Sequence, residues 1–274
     1  SLIYLNLYQG DAREKVLEIY FNKIKEDACF SSPLIIYCRA IVALKTNNAT
    51  KAERILSDYK QNKTEYPFYY LEYLKGLTRL TKLDKTADLY FLLYINNYKG
   101  LNNIKSAYQK LAWSAYIQGN TELYLSYMNK VKTSGRTQID EDKQAQIEAE
   151  KNTTPNRFLL KSRLLFDGGY FEKASVVLLN ETAKKTMNTE QEKLEYYYRL
   201  GRIYDEWKKT NEAIAYYKKT IEEGKKTTYY YAANASLQLG YIYERINKFN
   251  LAKENFIIAM SLPNTEYKNS IDQK

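Results

Sequence analysis

Histidine is absent from all 274 residues of the chain. This absence removes the commonest zinc ligand, the usual general base and the side chain that titrates near neutral pH. The two cysteines, Cys29 and Cys38, are too few for a disulfide framework and lack the spacing of a metal site. Cys38 lies in an apolar helical pattern, which predicts a small buried side chain. A disulfide between the two cysteines is left open.

Sequence motifs of catalysis and cofactor binding are missing as well. The chain has no Gly-rich phosphate loop, no Cys or His metal cluster and no nucleophile elbow. Its acidic run Asp140-Glu141-Asp142 lies in a polar segment, which predicts a helix start or a solvated surface rather than a carboxyl group of raised pKa. We therefore expect no catalytic residue, no metal and no cofactor, and we predict that the protein is not an enzyme.

Long apolar runs are absent too. No run of about 18 apolar residues occurs, so the sequence predicts no membrane-spanning helix. Hydrophobic residues still make up 45% of the chain, which is enough to build a core. The first residues show no signal-peptide pattern. Residues 2–8 are too short for a complete first helix, and 266–274 read as the start of a further one, so we expect an internal or C-terminal piece of a longer protein.

The net charge of +10 comes mainly from lysine. Of the 42 cationic residues, ten are arginine and 32 are lysine, and many lysines stand in doublets such as Lys184-Lys185 and Lys218-Lys219. Lysines near helix ends complement the helix dipole and keep the surface hydrated, whereas specific RNA readers use arginine more often. The composition therefore favours a solvated surface over a nucleic-acid interface.

Two segments toward the C-terminal end repeat one pattern 39 residues apart. The motif Leu200-Gly201-x-x-Tyr204 has its equivalent at 239–243, and each copy precedes a second helical pattern of small and aromatic residues. A glycine at such a position lets paired helices approach closely, while aromatic rings fill the space between neighbouring pairs. The sequence therefore predicts an all-α fold, a right-handed α-solenoid of helix-turn-helix repeats.

Weaker copies of the pattern extend toward the N-terminus, and each implies a turn between its two helices. The turns are predicted near Gly10, Asn47, Leu83, Gly119, Gly168, Lys208 and Asn247. One spacing, of 49 residues, exceeds the others, which lie between 36 and 40, and it locates an insertion at 132–154 with a possible extra helix at 139–150. We expect degenerate repeats at 1–131, this insertion, and better-conforming repeats at 155–274 with an incomplete C-terminal helix.

The few prolines and glycines agree with this frame. All prolines fall at predicted junctions between repeats, where a proline interrupts no helix: Pro33, Pro67, Pro155 and Pro263. Gly76 joins Gly201 and Gly240 at the close-packing position of a first helix. The positions of the prolines and glycines thus support a stack of helix pairs.

These motifs resemble the tetratricopeptide repeat (TPR) superfamily over nearly the whole chain, most specifically from residue 156 onward. The stretches LLFDGGY at 164–170, YRLGRIY at 198–204 and NSIDQK at 269–274 also resemble a family of TPR proteins from Bacteroidetes. That resemblance implies a bacterial protein that is exported or periplasmic, because members of the family often begin with an export signal. It implies no ligand and no catalytic residue.

First helices line the concave face of such a solenoid, and the repeat register predicts an aromatic groove with two arginines on that face. The predicted partner-binding residues are Tyr37, Tyr73, Gln109, Trp113, Tyr116, Arg163, Tyr198, Arg202, Asp205 and Tyr241. Aromatic rings give large contact area and arginine gives paired hydrogen bonds, which suits an extended peptide or a partner helix.

The favoured interpretation is a scaffold or adaptor that binds a protein or peptide. A nucleic-acid-binding helical repeat and a glycan-binding envelope protein are the alternatives. With 29 tyrosines in the chain, the same rings could also be packing residues between helices. Whether a given tyrosine is a binding or a packing residue depends on whether the fold leaves its ring accessible to solvent.

Overall fold

The structure, a computed structural model, describes residues 32–60 and 67–262. Within these ranges it is 75% helical and contains no strand, which confirms the predicted all-α repeat fold. Its fourteen helices are α1 Pro33–Lys45, α2 Ala49–Asp58, α3 Tyr70–Leu80, α4 Ala87–Asn97, α5 Ile104–Ile117, α6 Thr121–Thr133, α7 Asp140–Glu150, α8 Arg157–Asp167, α9 Phe171–Leu179, α10 Glu181–Lys185, α11 Glu190–Glu206, α12 Thr210–Gly224, α13 Tyr231–Arg245 and α14 Phe249–Ser261.

Helix pairs joined by short turns are the building unit. In each pair the first helix packs on the second, as α1 does on α2, α3 on α4, α5 on α6, α11 on α12 and α13 on α14. Helices α8 and α9 are linked by the Ser162 hydroxyl, which donates to the backbone oxygen of Ala174 over 3.1 Å. The predicted turn near Gly10 lies outside the described residues, as do Cys29, Pro263 and 264–274.

The described turns all lie where the sequence predicts them, and they share one backbone design. A residue with positive φ ends each first helix: Asn47, Leu83, Gly119, Gly169, Lys208 and Asn247. The next residue donates its backbone N–H to a carbonyl five residues earlier, as Lys209 does to Tyr204 over 2.8 Å and Asn48 does to Ala43 over 2.8 Å. This is the hydrogen-bond pattern of a Schellman motif, which satisfies carbonyls that the helix end leaves without partners.

The close-packing position of each first helix holds a small residue, seven residues before the positive-φ residue of the turn. It is Ala40, Gly76, Ala112, Ser162, Gly201 and Gly240 in the six pairs. At Gly76 an added Cβ would come within 2.8 Å of the ring of Phe91, because the second helix lays that ring directly on the first. The predicted role of glycine here is confirmed.

The helices group into two units. Among the described residues, those of the first unit lie within 32–154 and 164–170, and those of the second lie within 155–163 and 171–262. In the first unit α7, which falls in the predicted insertion, packs against both α5 and α6. In the second unit α13 packs against both α11 and α12, so consecutive pairs there stack in the manner of helical repeats.

Prolines sit where the sequence predicts them in the part of the chain that the structure describes. Pro33 begins α1 behind the capping residue Ser32, while Pro67 and Pro155 precede α3 and α8. Cys38 is a buried free thiol, as its apolar pattern predicts, and burial raises its pKa. None of the described helices is long and apolar enough to cross a membrane.

Candidate partner-binding faces

Three equivalent positions on the first helices of the second unit form the strongest candidate site. Arg163 in α8, Arg202 in α11 and Tyr241 in α13 follow one another at intervals of 39 residues. Each directly follows the small close-packing residue of its helix. Arg202 is exposed, and Arg163 and Tyr241 are half-buried. These three residues, here called the Arg–Arg–Tyr row, all keep solvent-accessible surface.

A charged network lies beside this row. Arg199 Nε donates to Glu195 Oε1 over 2.7 Å, and the Tyr231 hydroxyl of α13 donates to Glu195 Oε2 over 3.1 Å. Burial acts to raise the pKa of Glu195, but the charge of Arg199, its hydrogen bond and the charge of Arg163 outweigh burial and hold the pKa below its ordinary value. Arg163 of α8 is thus one of the two arginines whose charge lowers the pKa of Glu195.

A second ion pair connects α11 to α13. Arg245 of α13 donates to the carboxylate of Asp205 in α11. The Asp205 side chain is 10% exposed, while that of Arg245 is 54% exposed. The predicted groove residue Asp205 is therefore largely covered, and Arg245 is the member of this pair that faces solvent.

Tyr198 is buried, so the expectation that its ring is accessible is wrong. Its ring lies 6.1 Å from that of Tyr217, 6.3 Å from that of Tyr230 and 5.7 Å from that of Tyr231. The ring thus fills the space between two consecutive helix pairs. Tyr241 is half-buried, with its ring 5.4 Å from the ring of Phe256 in the second helix of its own pair.

In the first unit, Tyr73 is also a packing residue. It is 5% exposed, its ring lies against Phe91 and Tyr94, and its hydroxyl shares a 2.8 Å hydrogen bond with Ser106. Tyr37 is half-buried against the rings of Phe68 and Tyr70. An accessible groove position for Tyr73 is therefore wrong, because the first unit uses tyrosines to fill the gap between helices.

Gln109 and Trp113 are buried as well, 3% and 6% exposed, which overturns their predicted accessibility. Both donate to one carboxylate of α7: Gln109 Nε2 to Glu148 Oε2 over 2.7 Å, and Trp113 Nε1 to Glu148 Oε1 over 2.6 Å. The ammonium of Lys110 lies 3.8 Å from the centre of the Trp113 ring. Tyr116, another predicted partner-binding residue, is half-buried, with its ring 5.0 Å from that of Tyr124.

Several charged residues of these faces are not among those predicted from the sequence. Glu195 and Arg199 stand four residues apart on one helix, a spacing that favours an ion pair and could have been recognised. Arg245 and Asp205 are 40 residues apart, and Glu148 lies 35 residues beyond Trp113. No local sequence pattern therefore predicts either contact.

No group of three or more acidic or cysteine side chains that could hold a metal ion occurs in residues 32–60 and 67–262. Residues 194–223 match the model of a family described as Tetratricopeptide repeat. This match covers most of α11 and all of α12 except its last residue. No curated protein matches the chain.

Proposed function

We propose that the protein is an adaptor that binds a segment of a partner protein along the Arg–Arg–Tyr row. The match of residues 194–223 to a tetratricopeptide repeat supports a general role as a protein-interaction scaffold. The proposed role involves no catalysis, in keeping with an all-helical repeat fold, which is typically non-catalytic.

The observation that carries this proposal is the recurrence of accessible Arg163, Arg202 and Tyr241 at one position of three successive first helices. A partner segment that runs across these helices meets a side chain of the row at each step. Arginine donates paired hydrogen bonds to carboxylates, and tyrosine adds contact area at low entropic cost. The face therefore suits a segment with acidic side chains.

The neighbouring ion pairs support the same role. Glu195 holds Arg199, and Asp205 holds Arg245, so the carboxylates fix the geometry of two further guanidinium groups beside the row. A donor that is already oriented loses less side-chain entropy when a partner binds. Tyr198 contributes as the buried ring that keeps α11 and α13 in register.

A quantitative binding measurement tests this proposal. The partner is recovered from the source cell, and its affinity is then measured by calorimetry for the unaltered chain and for the double variant Arg163→Ala/Arg202→Ala. We expect binding at least about tenfold weaker in the double variant, since an interface arginine commonly contributes 1–2 kcal/mol or more.

The matched control is Arg136→Ala, which removes an exposed arginine of the first unit and leaves the row intact. Retained affinity in the double variant would refute a role for the row. A steep loss of affinity with salt, accompanied by nucleic acid in the recovered complex, would instead identify the nucleic-acid-binding alternative.

A further inference from the structure

Helix α7 lies on a row of hydrogen-bond donors that belongs to α5. Asp142 of α7 accepts from the backbone N–H of Asn103 over 2.7 Å and from that of Ser106 over 2.9 Å. Glu148 accepts from Gln109 and Trp113 further along the same helix. The four donors occur at residues 103, 106, 109 and 113, which are one face of a helix.

Asp142 acts at the start of α5, where that helix has no local cap. Asn103, the residue that precedes α5, has φ of 59° and makes no side-chain capping hydrogen bond. The N–H groups of a first helical turn need acceptors, and Asp142 supplies one from another helix. The buried Lys105 donates to the backbone oxygen of Val131 over 2.7 Å. Burial raises the pKa of Asp142, and the hydrogen bonds from Ser106 and Asn103 and the charge of Lys105 act against burial.

Apolar anchoring of α7 is small by comparison. Its buried residues are Asp142, Ala145 and Ala149, whereas Ile147 is 48% exposed. Gln146 Oε1 is buried without a hydrogen-bond partner in the part of the chain that the structure describes. Because two alanine methyl groups bury little apolar surface, the docking of α7 depends mainly on Asp142 and Glu148.

We propose that α7 is a tethered acidic helix that occupies a protein-binding surface on α5, and that this surface fits an acidic helix of a partner protein. The partner helix would carry two carboxylates six residues apart, about 9 Å along its axis, with a small residue between them and another directly after the second. Gln109 and Trp113 then serve as partner-binding residues whose accessibility α7 controls. This surface belongs to the first unit, and the inference does not depend on the Arg–Arg–Tyr row.

Because α7 belongs to the same chain as α5, it competes with any external helix for the α5 surface. A short linker holds α7 at an effective concentration in the millimolar range, so a free helix of equal intrinsic affinity binds the intact chain only weakly. Weakening the two carboxylate contacts of α7 removes this competition. The surface should then accept an external helix that carries the same carboxylates.

The test uses the full chain with Trp207→Phe, which leaves Trp113 as its only tryptophan. In this background, Asp142→Asn/Glu148→Gln should make Trp113 fluorescence at least about twofold more sensitive to a soluble quencher. A synthetic peptide of residues 138–151 should bind this variant at least tenfold more tightly than the unaltered background, and it should restore the shielding of Trp113. A peptide with Asn and Gln in place of the two acids should not.

The matched control is Asp140→Asn/Glu150→Gln, which removes two exposed carboxylates from the same helix without touching α5. It should leave quenching unchanged. Equal quenching in both double variants, no binding of the native peptide, or equal binding of the two peptides would each overturn the proposal. Should the variant unfold, hydrogen exchange of the unaltered chain decides: α7 amides that exchange at least tenfold faster than α5 amides support the proposal, and equal rates refute it.

Discussion

Gly201 lies directly beneath the ring of Tyr217, and a Cβ added to Gly201 would come within 2.6 Å of Tyr217 Cδ1. The same relationship joins Gly240 to Phe256 in the next pair, where the nearest ring atom would lie 2.4 Å away. Both distances are below 3.0 Å, which real Cβ contacts essentially never show. The two helices of a pair therefore approach so closely that the first has no room for a side chain at this position.

We expect Gly201→Leu to destabilise the fold by about 1–3 kcal/mol, because the added atoms force Tyr217 from its place against α11. Ala213→Leu, at a fully buried position in α12, should cost a similar amount. The exposed Ala215→Leu in the same helix is the control and should leave stability nearly unchanged. Thermal melting followed by circular dichroism measures all three, and equal melting temperatures would show that the helix register is wrong.

The turn residue Lys208 offers a stabilising substitution. Its φ of 62° lies in the left-handed region, which costs an L-residue roughly 1–2 kcal/mol. We expect Lys208→Gly to stabilise the protein by up to about 1 kcal/mol, since the entropy that glycine loses on folding offsets part of the gain. Lys208→Ala keeps the strain and should give no gain. Urea unfolding compares the two, and an equal gain with alanine would contradict this explanation.

Acid should weaken the second unit through Glu195. Burial raises its pKa, but Arg199 and Arg163 outweigh burial, so the pKa in the folded state lies below the value near 4.3 of an unfolded chain. The folded state therefore binds fewer protons, and this stabilisation is present above about pH 4.3 and lost as pH falls through the lowered pKa.

Glu195→Gln should reduce the free energy of unfolding at pH 7 and flatten its decline below about pH 4.3. Glu206→Gln, at an exposed position of the same helix, is the control. Denaturant titrations at several pH values measure both slopes. If the free energy of unfolding falls equally steeply below about pH 4.3 in Glu195→Gln and in the unaltered chain, Glu195 does not cause the loss of stability in acid.

Alkali should unfold the protein through its tyrosines. Burial raises the pKa of Tyr196 and that of Tyr230 to about 12, whereas a phenol in an unfolded chain titrates near 10. The folded state holds the proton longer, so the stabilisation is complete below about pH 10 and is lost as pH rises toward 12. With no histidine in the chain, we expect stability to change little between about pH 6 and 8.

Tyrosinate absorbance and circular dichroism, recorded together during an alkaline titration, measure this effect. Ionisation of the buried phenols should coincide with loss of helix. Tyr196→Phe removes one titrating group and should make the decline less steep. Buried tyrosines that ionise near pH 10 with the helices intact would be inconsistent with the packing described above.

The sequence was sufficient to predict the helix pairs because their determinants are local. Asn47, Gly119 and Asn247 are residue types that tolerate positive φ, and Leu83 and Lys208 follow from the repeat spacing. The accessibility of aromatic side chains could not be predicted in the same way. Tyr198 and Trp113 lie on the predicted face of their helices, but contacts from elements distant in sequence cover them.

The exposure of Arg202 was easier to predict than aromatic packing. The exposure of Arg202 agrees with the high cost of removing a guanidinium group from water, whereas a tyrosine ring gains from burial. In a chain with 29 tyrosines, position on a helix face alone therefore does not separate a binding ring from a packing ring. The Arg–Arg–Tyr row stays a prediction until binding is measured.

Each turn is closed by hydrogen bonds within six consecutive residues, as between Tyr204 and Lys209. In the second unit the turns after α11 and α13 are closed locally in this way, so a duplicated 39-residue segment could join the stack there without any change to them. Every duplication would add one more first helix with its own residue in the row. On the proposed function, the length of partner that the protein contacts would grow by whole repeats through gene duplication, while the row residue of each repeat diverges separately.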